Sequence, residues 1–147
     1  MNDSPVPKRN DSSEAPTVLV SNRQDDVELD EDALAGLAKK TLEGESEVAE
    51  LSLSFVPLEE MSALHEQYMG EPGPTDVLSF PMGEDGLLGD VVVCPAYAAA
   101  EAADVQSELR LLVVHGVLHL LGYDHEEEDG RRVMWELQES YSGVRLT

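Results

Sequence analysis

Between Lys40 and Arg110 this chain has no lysine and no arginine. In all, 9 basic residues stand against 31 acidic ones, a formal net charge of −22 over 147 residues. Such a chain repels nucleic acid at long range, which excludes capture by a broadly basic surface. There is one cysteine, Cys94, so no intrachain disulfide framework is possible. That agrees with a reducing cytosol, and a cytoplasmic location is expected. Cys94 itself reads as a small core residue. No apolar run approaches the ~18 residues of a membrane helix, so no membrane partner is expected. The opening Met1-Asn2-Asp3-Ser4-Pro5 has no apolar core of the signal-peptide kind. No internal repeat is present. What is left is a chain of ordinary hydrophobic content, 41%, long enough for a single domain with a real core.

Against that background one stretch stands out. His115-Gly116-Val117-Leu118-His119-Leu120-Leu121-Gly122-Tyr123-Asp124-His125 holds three of the 4 histidines. The run Glu108 to Leu121 is rich in Leu and Val and reads as a helix, apolar nearly all round and therefore buried. Positions four apart share a helix face with Cβ atoms roughly 6 Å apart. Two imidazoles at that spacing reach one ion at about 2.0–2.1 Å. Gly122 supplies a bend, since glycine takes φ > 0 at a helix end without steric cost, and the bend returns His125 toward the pair. Three protein ligands leave a fourth position of tetrahedral zinc open to water, whose pKa zinc lowers to about 7. Imidazole without thiolate suits zinc, while Ni or Co would also bind.

The residue after the first histidine sharpens the reading. Zinc proteases of the His-Glu-x-x-His pattern carry a general base there. Here it is Gly116, which moves no proton and serves either to open space above the metal or to allow close helix packing. From His119 onward, His-x-x-Gly-x-x-His is kept as in the metzincins. Asp124 is a candidate for orienting a ligand imidazole and a weaker candidate for the base. No other side-chain base is identified.

The rest of the chain supplies a frame. Residues 1–16 are polar and proline-bearing and read as a disordered tail. Strands are expected at Thr17–Ser21, Glu47–Phe55, Asp76–Phe80 (stopped by Pro81) and Leu87–Val93, the last two as a hairpin. Helices are expected at Glu31–Glu43, Pro57–Met69, Pro95–Val105, the histidine helix capped by Ser107, and a last helix from Glu126 to about Tyr141. Gly70 to Pro74 is a loop, and His65 reads as a satisfied or surface histidine. Asp90, a carboxylate inside an apolar strand, needs a partner, either a backbone N–H or a ligand histidine. Four strands and about five helices, with an early β-α-β order and a later hairpin, give an α+β fold with a mixed sheet.

The histidine stretch, together with Thr75-Asp76-Val77-Leu78-Ser79-Phe80-Pro81 and Leu88-Gly89-Asp90-Val91-Val92, resembles the signature of the YbeY endoribonucleases, and the resemblance spans Val18 to Leu137. It implies a zincin-like single domain over residues 17–147 and a zinc-dependent, single-strand-specific endoribonuclease. It implies a role in 3′-end maturation of small-subunit (16S) rRNA and in ribosome quality control. His115, His119 and His125 become the ligands of one Zn2+. Thr75, Asp76 and Ser79 become candidates for the substrate cleft, with Arg110 the cation nearest in sequence to the histidines. Arg131 and Arg132 are the other cations placeable near the metal helix. The implied partners are the ribosomal RNA precursor, the small ribosomal subunit, and a ribosomal protein or ribosome-associated GTPase. One departure matters: many members carry an arginine where this chain has Met69, and methionine binds no phosphate. Two competing readings stand beside the nuclease, a zinc peptidase and a non-catalytic ribosome-assembly factor.

Overall fold

The computed structural model describes residues 15–84, 86–123 and 127–145. Their elements, in chain order, are β1 (Thr17–Asn22), α1 (Glu31–Gly44), β2 (Glu50–Phe55), α2 (Leu58–Met69), β3 (Val77–Glu84), β4 (Leu87–Val93), α3 (Pro95–Glu101), α4 (Val105–Leu120) and α5 (Glu128–Ser142). The sheet order is β1-β2-β4-β3. The first three strands run parallel, and β3 returns antiparallel to β4. This is the expected α+β architecture with a mixed four-stranded sheet.

Side-chain alternation along each strand decides what each face of the sheet meets. Leu51, Leu53 and Phe55 of β2 join Val91 and Val93 of β4 against Leu34, Ala38 and Leu42 of α1 and Leu109, Val113 and Val117 of α4. The opposite phase, with Val92 and Leu78, meets Met61 of α2. On the outer side of α4, Val114 and Leu118 pack with Leu37 of α1 and Met134 of α5. α4 therefore lies between the sheet and two helices, which is why its sequence is apolar on nearly every side.

Most boundaries fall within one residue of the sequence reading, and the larger differences have local reasons. β3 does not stop at Pro81 but continues to Glu84, with Pro81 opposite Gly89. An edge strand tolerates a proline, whose missing N–H is not needed by a further strand. At Gly89 (φ +154°) a Cβ would lie 2.4 Å from the Phe80 carbonyl oxygen, so the close approach at this point requires glycine. β2 begins at Glu50, because the Glu47 N–H is turned back onto the Leu42 carbonyl at 2.9 Å. α4 is capped by Asp104 rather than Ser107: its carboxylate accepts from the Ser107 N–H at 3.3 Å and from the Ser107 hydroxyl at 2.9 Å. The alanine-rich helix ends at Glu101, where Ala102 turns to extended backbone. The tail expected over residues 1–16 lies, up to residue 14, outside the described residues. Among the described residues no helix is long and apolar enough to cross a membrane.

Candidate metal centre and active site

The histidine helix ends as its glycine dictates. Gly122 takes φ +99°. Its N–H donates to the His119 carbonyl, and the Tyr123 N–H reaches back to the Leu118 carbonyl, both at 3.1 Å. That bond pair is a Schellman cap, and Tyr123 packs in one cluster with Leu118 as such caps favour. Asp124 and His125 follow in sequence but lie outside the described residues, as does Glu126 at the start expected for the last helix.

His115 and His119 stand on one face of α4, with ring centroids 5.8 Å apart and planes at 85°. Both line a cleft of about 280 Å³ with Met69, Asp76, Val77, Leu78 and Ser79. A second hollow of about 210 Å³ continues from His115 and Asp76 to Glu108 and Gln138. Three sequence candidates are thus brought to the histidines or near them. Asp76 lines both hollows. Ser79 lines the first, and its hydroxyl donates to the Gly116 carbonyl at 3.1 Å, tying β3 to α4. The Thr75 hydroxyl sits 3.5 Å from Asp76 Oδ1, at the entry to β3. Met69 is on the wall of the cleft and 55% exposed. Among the described residues lining the two hollows there is no lysine or arginine.

Two candidates go elsewhere. Arg110 is not turned to the histidines; its Nε donates to the Ser142 carbonyl at 3.0 Å and its second N–H group to the same oxygen. Five residues before His115, it stands about 140° round the helix, and it caps the C-terminal end of α5. Asp90 is on the opposite face of the sheet. It is in phase with Val92, beside Ser52 of β2, and lines a hollow with Arg23, Glu60 and Tyr68. It is therefore not placed to orient His115 or His119, because the sheet lies between. Gly116 is settled by packing: a Cβ there would lie 2.5 Å from Val91 Cγ1, so the glycine lets α4 seat on β4. His65 is satisfied, by the Gly73 carbonyl at 2.9 Å and Glu71 at 3.3 Å.

Two further residues join the site, Gln138 and Glu108. Gln138 Oε1 is 3.0 Å from His115 Nδ1. An Nδ1–H donating to that oxygen leaves the lone pair on Nε2 and fixes the ring. Glu108 lies in the groove beside His115, and burial, then the nearby Asp76 charge, push its pKa up. Positions 108, 112, 115 and 119 form one helical stripe, so periodicity alone points to Glu108.

A second network fixes α5. Glu45, just past the end of α1, accepts the Tyr123 hydroxyl on one oxygen and the Tyr141 hydroxyl on the other, each at 2.5 Å. Burial, reinforced by the Glu45 carboxylate, raises the Tyr141 pKa to about 12, so its hydroxyl remains a donor throughout the neutral range. At Gly44 a Cβ would lie 2.4 Å from the Tyr141 ring, so only glycine leaves room for it. Tyr141 is one helical turn beyond Gln138, and this clamp therefore sets the helix that presents Gln138 to His115.

The donor set fits a borderline metal ion: paired imidazoles at ligand spacing, one with its tautomer fixed, and no thiolate. Among the described residues no third His, Cys, Asp or Glu joins them in a metal-holding group, and His125 is outside that set.

A model of the family described as Endoribonuclease YbeY matches residues 19–143. The chain belongs to the endoribonuclease YbeY family. It is 47% identical to the Endoribonuclease YbeY of Acidothermus cellulolyticus, over 83% of this chain and 87% of that one. It is 48% identical to the Endoribonuclease YbeY of Beutenbergia cavernae, over 81% and 90%. Among solved structures it is similar to the solution structure of TM1509 from Thermotoga maritima, with a TM-score of 0.57, 31% identity, and 86% and 87% of the two chains covered. Family membership favours endoribonuclease chemistry over the peptidase reading.

Proposed function

We propose that this protein is a zinc-dependent endoribonuclease that cuts single-stranded RNA, and that its substrate is the precursor 3′ end of small-subunit rRNA on the assembling subunit. The observation that carries the reading is the pair His115 and His119 on the floor of a cleft, in a chain of the endoribonuclease YbeY family.

His115 and His119, with His125 from the sequence motif, would hold the ion. When bound, zinc supplies Lewis-acid activation of water and of the phosphodiester. The chain's own residues do the rest. Gln138 keeps the His115 imidazole in one tautomer and one orientation. Ser79 holds the β3 wall against α4, which sets the width of the cleft. Glu108 lines the adjoining hollow with His115, and burial, then the Asp76 charge, raise its pKa, which makes it a candidate to hold a proton there. The small volume of the cleft, about 280 Å³, supports single-strand specificity. With methionine at position 69 and no lysine or arginine among the described residues of the cleft walls, these walls lend little phosphate affinity of their own. That supports a substrate delivered by the ribosome rather than captured from solution.

The test compares single-stranded with duplex RNA of one sequence, each incubated with purified protein carrying one equivalent of zinc, with and without a chelator. Cleavage of the single strand alone, abolished by chelation and restored by zinc, is expected. Equal cleavage of both substrates, or cleavage that survives chelation, contradicts the proposal.

A further inference from the structure

The chain contains a single tryptophan, and it is on the surface. Trp135 of α5 is 44% exposed, although an indole is the largest apolar side chain available for the core. With Arg131 and Arg132 it lines a shallow hollow of about 310 Å³ that also includes Glu128 and Glu136. Arg132 pairs with Asp129 across one turn at 3.4 Å, both groups being largely exposed, and such surface pairs yield readily to a competing anion.

The position of this hollow gives it meaning. Arg131, Trp135 and Gln138 stand at i, i+4 and i+7, one stripe along α5. Gln138 is the residue that meets His115. Seven residues of helix span about 10 Å, so the arginines and the indole lie a turn or two along the helix from the groove beside the candidate metal centre. The walls of the histidine cleft offer a substrate no lysine or arginine among the described residues. The Trp135 hollow is the nearest place on this helix where two cations flank an exposed aromatic face. That combination is what a single strand uses: a base stacks on the ring while arginines take its phosphates.

The geometry points to Trp135, Arg131 and Arg132 as a binding subsite for single-stranded RNA next to the histidine cleft, with a base stacked on the indole and the flanking phosphates on the two arginines. This rests on the endoribonuclease reading and adds to it where the strand is gripped. It also offers a counterpart for the cation absent at Met69: affinity comes from α5 rather than from the cleft wall.

The unique tryptophan makes the test direct. The full chain, held in chelator to prevent cleavage, is titrated at low salt with an end-labelled oligoadenylate, and indole emission and label anisotropy are followed together. Indole quenching that saturates with the anisotropy is expected. Trp135→Ala should weaken binding about tenfold, as stacking contributions imply, while Trp135→Phe retains most of it. Replacing both arginines by alanine should lower the salt dependence by roughly 1.4 in log–log slope. An anisotropy rise with unchanged indole emission, and equal binding by Trp135→Ala, overturns the subsite while leaving the nuclease reading intact. No anisotropy rise at any salt, in a preparation that does cleave ribosome-bound RNA, also overturns the subsite and assigns all affinity to the ribosome. Neither binding nor cleavage removes the subsite and the nuclease reading together.

Discussion

The sheet has two faces, and each carries a hollow. The one on the α2 side is the larger, about 440 Å³, and includes Asp90, Ser52, Ser54 and Tyr68. The one on the α4 side is smaller, about 280 Å³, and holds the histidine pair. Size alone favours the first. Yet two of its charged groups are spent on each other: Arg23 donates to Glu60 at 2.6 Å, and bonding to Glu60 raises the Arg23 pKa. Its serines and Asp90 are the alternate residues of strands whose other phase fills the core. The smaller hollow differs in being supported from behind. Gln138 fixes one imidazole, Ser79 ties the wall to the helix, and the Tyr141–Glu45 clamp holds the helix that carries Gln138. The difference teaches that a site is recognised by what immobilises its functional groups, more than by the space in front of them.

The contrast can be broken at several points. The largest effect is expected at Gln138. Gln138→Ala should lower zinc affinity by about 10–100-fold, the usual cost of losing a partner behind a ligand histidine. Asp90→Ala, on the other face, should leave zinc affinity unchanged; competition with a chromophoric chelator measures both. Next comes Gly116→Ala. Its methyl meets the stiff, fully buried Val91 and should destabilise by about 1–3 kcal/mol in denaturant unfolding, as overpacking does. Adding Val91→Ala should return part of that loss, and strict additivity of the two would show that they do not touch.

Tyr141→Phe removes one bond to Glu45 and should cost about 1 kcal/mol of stability. It should also lower zinc affinity slightly, through Gln138. An unchanged affinity would disconnect the clamp from the site. The smallest effect is at Glu108. Its folded-state pKa is raised, so the native state binds more protons than the unfolded one, and stability falls as pH rises through the folded pKa. Glu108→Gln should therefore be more stable than the parent at neutral pH. That advantage should vanish below the unfolded carboxylate range, a trend that thermal unfolding across pH measures.

Much of this was legible in the sequence where the information is local. The histidine spacing, the Gly122 bend and the all-round apolar pattern of α4 each follow from helical period, and the structure returns the last two and the paired imidazoles. Glu108 is equally legible, on the same helical stripe. What was not legible lies far apart in sequence. Gln138 and His115 are 23 residues apart, and Glu45 and Tyr141 are 96 apart. Asp90 was misread for a different reason. Its place within an apolar run was plain, but which strand phase faces α4 depends on how β2 and β4 pair. Arg110 went astray because a cation near the histidines in sequence is not near them round the helix.

The most direct measurement takes one variant from each face. His119→Ala and Asp90→Asn are purified beside the parent, each assayed for bound zinc and then for cleavage of a single-stranded precursor rRNA fragment. The two-face account predicts that His119→Ala loses both metal and cleavage, while Asp90→Asn keeps both. Equal cleavage by the parent and by metal-free His119→Ala, or loss of zinc in Asp90→Asn, would contradict it.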